Sequence, residues 1–340
     1  MAVLSAKNPT LLDLAKVTDP DGKIATVAEI LNETNEILED MTWIEGNLPT
    51  GHRTTTRTGI PAPTWRKLYG GVQPNKSTTV QVTDSTGSLE AYAEVDKKLA
   101  DLNGNTSEFR LNEDRPHIEG MNQELADTLF FGDEASEPEA FTGFGPRFDD
   151  LSGPENADNI IDGAGTGSDN NSIWLIVWGP NTVHGIVPKG IKAGLSVTDK
   201  GQVTIEDASD GSNTGRFEAY RTHYSWDAGL TVRDWRFVVR ICNIDLSLLT
   251  RVYTSGAFST GAHLPDLMFQ ALRLPPNLSM GRPAFYMSKD LITWVGRQTA
   301  AAVQGSTLTT EMVGGKMVTS FMGVPMRRVD VLAANEARVT

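Results

Sequence analysis

The segment that decides the fold is residues 112–143, NEDRPHIEGMNQELADTLFFGDEASEPEAFTG. Pro116 suits the first turn of a helix, where its missing N–H costs nothing. Four apolar side chains then recur at helical spacing: Ile118, Met121, Leu125 and Leu129. The pattern stops at Gly132, and Pro138 and Gly143 oppose a further helix. The segment therefore predicts an amphipathic helix, a sharp stop and an extended exit.

The composition indicates a soluble, globular, loop-rich protein of one or two domains. The chain has 340 residues, 39% of them hydrophobic and 21% charged, with 32 Gly and 17 Pro. The single cysteine, Cys242, lies in an apolar run, which excludes an internal disulfide and predicts a buried thiol. Neither a signal peptide nor a membrane span is expected, because every apolar run is too short.

Charge is distributed unevenly along the chain. The formal net charge is −13, which argues against nucleic-acid binding as the main activity. Residues 84–162 carry 20 acidic and 5 basic side chains, a net of −15. Residues 46–83 carry 5 basic and no acidic side chains. The contrast suggests pairing between the two segments.

Residues 50–84 predict a long polar hairpin. Thr-rich stretches of period two flank Gly70-Gly71, and Pro61 and Pro63 interrupt them. An isolated two-stranded ribbon is marginal in water, so this one needs an external partner. Three large apolar side chains lie in the middle of the segment: Trp65, Leu68 and Tyr69.

Local patterns predict the remaining elements. Helices are expected over residues 27–41, over 88–104 with Ser88 as N-cap, from Pro265, and after Ser288. Residues 172–245 favour β-strands, including an apolar strand at 173–178, and PAFYMS predicts another. Near the C-terminus FMGVPM predicts a bend in which Gly323 frees the backbone and Pro325 fixes φ at the start of the next strand.

The chain shows no local motif for catalysis or metal binding. The five histidines are too far apart in sequence for a local metal site, and no Walker A loop, nucleophile elbow or zinc-protease motif occurs. The GAGTG run at 163–167 precedes a strand, which is the wrong order for a dinucleotide fingerprint. Asp149 and Asp150 are more typical of a solvated turn than of a hydrolase pair. No cofactor is expected.

Three motifs in order resemble the major capsid proteins of tailed double-stranded DNA bacteriophages, the Hong Kong ninety-seven type of fold. They are the helix that ends in Phe-Gly-Asp, the Leu-Pro end of a helix followed by AFYMS, and the C-terminal FMGVPM. The resemblance implies an α+β fold with an N-terminal arm, an extended hairpin loop, a spine helix, a peripheral β-rich domain and an axial α/β domain. The implied boundaries are arm 1–49, hairpin loop 50–84, peripheral domain with spine helix and acidic connector 85–171, β-rich part of both domains 172–250, axial domain 251–320, and return to the peripheral domain 321–340.

The resemblance also implies a function. The protein would self-assemble, as hexamers and pentamers, into an icosahedral head that encloses double-stranded DNA without binding it tightly, and it would catalyse no reaction. Portal and scaffolding proteins are expected partners, a decoration protein is a possible one, and a membrane is not. The protein would be assembled in the host cytoplasm and reside in the virion. The alternatives are an encapsulin-type shell around enzyme cargo and, from another class, a carboxylate-dependent hydrolase.

The charge contrast and the implied loop together predict a contact between subunits. In the family this loop reaches over a neighbouring subunit. We expect Arg53, Arg57, Arg66 and Lys67 to contact carboxylates of segment 84–162 in a neighbour. Trp65 and Tyr69 are expected to add apolar anchorage.

Overall fold

A computed structural model describes residues 33, 35–102, 106–153, 155–207, 215–250, 253–254, 257–258, 260–302, 308–313, 316–332 and 335–340. The helices are α1 Ile37–Asp40, α2 Lys97–Ala100, α3 Thr106–Phe131, α4 Leu264–Ala271 and α5 Lys289–Ala302. The strands up to residue 207 are β1 Trp43–Glu45, β2 Gly51–Gly59, β3 Thr78–Asp96, β4 Ile160–Asp162, β5 Asn170–Trp178, β6 Val183–Val187 and β7 Ser196–Asp207. The later strands are β8 Gly215–Val232, β9 Val238–Asp245, β10 Tyr253–Thr254, β11 Ala257–Phe258, β12 Arg282–Met287, β13 Leu308–Val313, β14 Lys316–Phe321 and β15 Val324–Arg328.

The chain divides into two compact units. Of the described residues, the first contains Glu33 and those of Ser88–Ala126 and Gly194–Asp227. The second comprises Thr34–Gly87, Asp127–Ala193 and Ala228–Thr340.

The second unit is built on β5, which lies between β12 and β9 and is antiparallel to both. All of its residues are buried, and the alternation of a strand sends them to two different cores. On one face Ile173 and Leu175 join the aliphatic core that α4 and α5 cover. On the other face Trp174 packs against the rings of Phe130 and Phe144. Burial on both faces explains why 173–178 is continuously apolar, and the predicted strand is confirmed.

The predicted spine helix is present as α3, but it begins at Thr106 and not at Pro116. Met121, Leu125 and Leu129 are buried as expected, whereas Ile118 is 41% exposed. The residues before Pro116 lack an apolar period, so the pattern did not reveal them.

Tertiary contacts within the first unit stabilise the start of α3. Phe109 is buried beside Val95 and Leu99. The Arg110 guanidinium lies 5.0 Å from the centre of the Tyr220 ring and pairs with Asp199 at 2.8 Å. These contacts, and not amphipathic periodicity, extend the helix towards its N-terminus.

The helix predicted over 88–104 is wrong. Residues 88–96 continue strand β3, and only α2 is helical before the undescribed residues 103–105, which include the predicted stop. Ala93 and Val95 are buried while Tyr92 is half exposed, which is the alternation of a strand. A helical period also fits the apolar residues Leu89, Tyr92, Val95 and Leu99. Pairing next to β8 in the sheet therefore decides between helix and strand.

The helix predicted over 27–41 is described only in part. Residues 27–32 and 34 lie outside the described chain. The described remainder contains α1, and β1 follows it and pairs in parallel with β6.

The predicted hairpin is confirmed. β2 and the first part of β3 are antiparallel from Gly51↔Ser85 to Gly59↔Thr78. Residues 60–77 connect them without further strand. At the C-terminal end, β14 and β15 form a tight hairpin whose turn residues Met322 and Gly323 have φ of 50° and 86°. Both central residues are thus left-handed, as a type I′ turn requires.

Candidate assembly surface

The connection between β2 and β3, residues 60–77, exposes large apolar side chains. Trp65 and Tyr69 are fully exposed, and Ile60 and Leu68 nearly so. Exposed apolar groups of this size in one loop mark an interaction site. We call residues 60–77 the hairpin tip.

Backbone and side-chain bonds shape the hairpin tip. The Gly70 N–H donates to the Lys67 carbonyl at 3.0 Å, and Tyr69 before it has a left-handed φ of 62°. The Asn75 side-chain amide donates to the Ala62 carbonyl across the loop. A left-handed conformation is unfavourable for a bulky residue, which points to a functional reason for the position of Tyr69.

The basic residues of the hairpin are exposed and uncompensated. Arg53, Arg57, Arg66 and Lys67 are exposed, and none forms an ion pair with any other residue that the structure describes. The Arg53 side chain donates from Nε to Thr83 Oγ1 at 3.2 Å. These side chains therefore lie along one hairpin, and none is paired with the described residues of segment 84–162 of the same chain.

The root of the hairpin is the end of the ribbon where Gly51 pairs with Ser85. Polar contacts hold it to the rest of the second unit. Arg147 donates to the buried Asp84 carboxylate at 2.9 Å. Ser85 Oγ donates to Glu134 at 2.8 Å. A side chain at Gly51 would lie 2.1 Å from the Asp84 carbonyl oxygen, so the close pairing of the two strands there requires glycine.

An acidic loop, residues 133–139, follows the spine helix. Asp133 accepts from the Ala135 N–H at 3.0 Å and orders the turn. Glu134, Glu137 and Glu139 are exposed. Burial, together with the charge of Glu137, raises the pKa of Asp127 nearby on α3. The charge of Glu137 thus acts unfavourably on the Asp127 carboxylate, and a cation bound near Glu137 would offset that effect.

Sequence reasoning missed the groups that anchor the N- and C-terminal segments. Arg327 pairs with Asp40 at 3.0 Å, and Arg240 pairs with Glu336 at 2.9 Å. These partners are far apart in sequence, so no local pattern could link them. A charged residue inside the apolar run Phe237–Ile241 was the one available signal, because a buried arginine requires a partner.

Neither a metal site nor a membrane helix is found in the described residues. No group of three or more His, Cys, Asp or Glu is placed to hold a metal ion there. No helix there is long and apolar enough to cross a membrane.

A family model, major capsid protein GP7, matches residues 19–340. The chain belongs to this major capsid protein family. A structure of bacteriophage Epsilon15 is 36% identical with a TM-score of 0.77, and the match covers 100% of both chains. No curated protein matches the sequence significantly.

Two more distant structures match with TM-scores too low to carry an argument. The bacteriophage JBD30 capsid is 12% identical with a TM-score of 0.49, covering 89% of this chain and 93% of the other. The SrpI encapsulin complex from Synechococcus elongatus is 11% identical with a TM-score of 0.45, covering 74% of this chain and 99% of the other.

Family membership establishes the class of function. The protein is a structural component of a bacteriophage capsid and resides in the virion. It has the tailed-phage capsid fold, with a large mixed sheet and a long helix. It is not an enzyme, so the hydrolase alternative is rejected, and the family match favours a phage capsid over an encapsulin shell.

Proposed function

We propose that this capsid protein assembles into hexamers and pentamers that close an icosahedral head around double-stranded DNA, and that the hairpin joins neighbouring subunits. The observation that carries the proposal is the hairpin tip, where Trp65 and Tyr69 are fully exposed beside unpaired cations. A lone subunit gains nothing from such a surface, whereas a second copy can cover it.

The receiving surface lies in segment 84–162, with the acidic loop 133–139 as its centre. Arg53, Arg57, Arg66 and Lys67 would meet carboxylates there, and Trp65 and Tyr69 would supply apolar anchorage. Exposed ion pairs contribute only about 0.2–1 kcal/mol each. Repetition of the contact around a closed shell makes the sum sufficient.

The domain boundaries stated above for the arm, loop, peripheral and axial domains are part of the proposal. In it, the turn at Gly323 with Pro325 closes the fold on the peripheral domain. The tight β14–β15 turn, in which Pro325 lies opposite Ser320, supports that role.

The proposed partners follow from the capsid role. A portal and a scaffolding protein would take part in assembly, and a decoration protein could bind the finished shell. The DNA would be enclosed and not tightly bound, because a chain with a net charge of −13 offers little attraction to phosphate.

Charge reversal at the hairpin tests the contact. Arg57→Glu together with Arg66→Glu should leave the circular dichroism spectrum unchanged and slow assembly, followed by light scattering and electron microscopy. Lys189→Glu with Lys192→Glu is the control, since it changes net charge equally at exposed lysines outside the hairpin. Glu134→Lys with Glu137→Lys should partly restore assembly of the first double variant.

Salt dependence completes the test. The difference between the reversed and the original protein should shrink as salt rises, because screening weakens exposed charge pairs. Assembly of the Arg57→Glu, Arg66→Glu variant at the original rate, at both low and moderate salt, would show that the electrostatic contact is wrong.

A further inference from the structure

A buried histidine at the root of the hairpin lacks polar partners. His184 lies on β6 with 1% of its surface exposed. Neither of its ring nitrogens has a hydrogen-bond partner of good geometry, although the Gly179 carbonyl lies near enough to raise its pKa. A neutral imidazole carries one donor and one acceptor, and leaving both unpaired inside a protein is costly.

Other polar groups lie near this ring, and some of them have unpartnered atoms. Thr231 is the cross-strand neighbour of His184 on β8, is fully buried, and has an unpartnered hydroxyl. The His52 ring on β2 meets the His184 ring edge-on, with centroids 5.7 Å apart. Asp84 lies opposite His52, with one carboxylate oxygen bonded to Arg147 and the other, Oδ2, unpartnered. We call His52, Asp84, Arg147, His184 and Thr231 the root cluster.

The atoms of the root cluster that lack a hydrogen-bond partner can be satisfied by water. They include acceptors, such as Asp84 Oδ2, and a donor, Arg147 Nε, while His184 and Thr231 can each do both. The charges of Asp84 and Arg147 offset each other, so a bare ion has no advantage there. The described residues also place no three metal ligands together. Buried water typically satisfies such groups with about three hydrogen bonds.

We propose that the root cluster holds ordered water against His184 and Thr231, and that protonation of His184 in acid loosens the hairpin at its root. The site acts within one subunit and is separate from the proposed contacts of the hairpin tip. The water-site proposal can therefore be wrong while the assembly proposal is right. The assembly proposal can likewise be wrong while the water-site proposal is right.

The electrostatic surroundings keep His184 neutral at neutral pH. Burial is the main cause that lowers its pKa to about 4, and His52 on β2 and Arg233 after β8 act in the same direction. The Gly179 carbonyl and the Asp84 carboxylate on β3 oppose them but do not prevail. An unfolded histidine titrates near 6.5, so the stability contributed by neutral His184 is complete above that pH and is lost as pH falls towards 4.

Loosening is expected at the hairpin because its first strand carries the facing histidine. A proton on His184 would place a buried positive charge against the His52 ring and near Arg233. The Asp84 carboxylate pairs with Arg147 through Oδ1, and its remaining attraction does not offset the burial that lowers the pKa of His184. The contact between the His52 and His184 rings joins β2 to β6. Loss of this contact on protonation would release the hairpin root from the sheet.

Hydration is tested by removing one hydroxyl. If water bridges Thr231, Thr231→Val should lower the melting temperature of the unassembled protein, because the water and His184 lose a partner. If the site is dry, the same change replaces an unsatisfied hydroxyl by a methyl group and should be neutral or stabilising. Thr299→Val, at another buried hydroxyl without a partner, is the control for loss of a hydroxyl alone. Stabilisation by added Zn²⁺ would identify a metal occupant and overturn the assignment of water.

Acid sensitivity is tested by hydrogen exchange, corrected for intrinsic rates, between pH 7 and 4.5. Protection in β2 and β6 should fall with pH, by up to about tenfold in the opening equilibrium for each pH unit. His184→Gln should abolish this dependence, whereas His223→Gln, at a histidine paired with Glu90 elsewhere, should keep it. Equal pH profiles for the original protein and His184→Gln would overturn the proposal.

A second measurement avoids reliance on a variant that could misfold. Histidine rings labelled with ¹³C in the unaltered protein report protonation directly by NMR. His184 should remain neutral at pH 5.5, where an ordinary histidine is mostly charged. Ordinary titration of His184 near 6.5 would overturn the proposal.

Discussion

The guanidinium of Arg240 and the carboxylate of Glu336 form an ion pair at 2.9 Å with 6% and 5% of their side chains exposed. Arg240 also donates to the Phe148 carbonyl at 2.8 Å and lies over the Trp174 ring. The Asn243 side chain bonds both the N–H and the carbonyl of Val339. Residues 335–340 are thereby tied to the central strands of the second unit.

Removal of one partner of this pair should strongly destabilise the subunit. Glu336→Ala leaves Arg240 buried and uncompensated, which typically costs about 3–5 kcal/mol. Glu206→Ala, which removes the exposed partner of Arg216, should cost about 0.2–1 kcal/mol. Urea unfolding of the unassembled protein measures both values. Equal effects would mean that the Arg240 pair does not anchor the C-terminal segment.

The apolar side chains of the hairpin tip should matter for assembly and not for folding. Trp65→Ala with Tyr69→Ala should change the free energy of unfolding by no more than about 0.5 kcal/mol, because both side chains are fully exposed. Assembly should be slower and its critical concentration higher. Thr64→Ala, an exposed neighbour, is the control. Normal assembly of the double variant would remove these residues from the proposed contact.

The turn between β14 and β15 should require glycine for conformational reasons alone. Gly323 has φ of 86°, and an added Cβ would meet no atom within 4 Å. Gly323→Val should therefore cost about 1–3 kcal/mol through backbone strain. Gly71→Val is the control, since its Cβ also meets nothing and its φ is not positive. A soluble Gly323→Val variant with unchanged stability and normal assembly would disprove the role assigned to the bend.

The single cysteine should be unreactive in the folded protein. Cys242 is fully buried, and burial raises the pKa of its thiol to about 12. Alkylation by iodoacetamide at pH 8 should become fast only after unfolding in urea, because the thiolate is the reactive form. Free Cys added to the same reaction calibrates the rate. Rapid labelling without urea would contradict the burial of β9.

Local periodicity was sufficient for elements whose burial is one-sided or complete. The apolar run at 173–178 is buried on both faces, and Met121, Leu125 and Leu129 form one buried side of a helix. The period of such patterns follows from the geometry of the backbone itself. The Thr-rich hairpin and the tight turn at Gly323 were likewise readable, since both depend on short-range conformational preferences.

Contacts between distant residues were necessary for the rest. Residues 88–96 suit both a helix and a strand, and pairing beside β8 selects the strand. The turns of α3 before Pro116 have no apolar period and depend on Phe109 and Arg110 finding their partners. Arg240 and Glu336 lie close together only because the fold returns the chain to its own centre. The energy of such a contact depends on where the fold places the partner, so neighbouring residues in the sequence do not reveal it. The root cluster around His184 is another example, because its members come from different strands and loops.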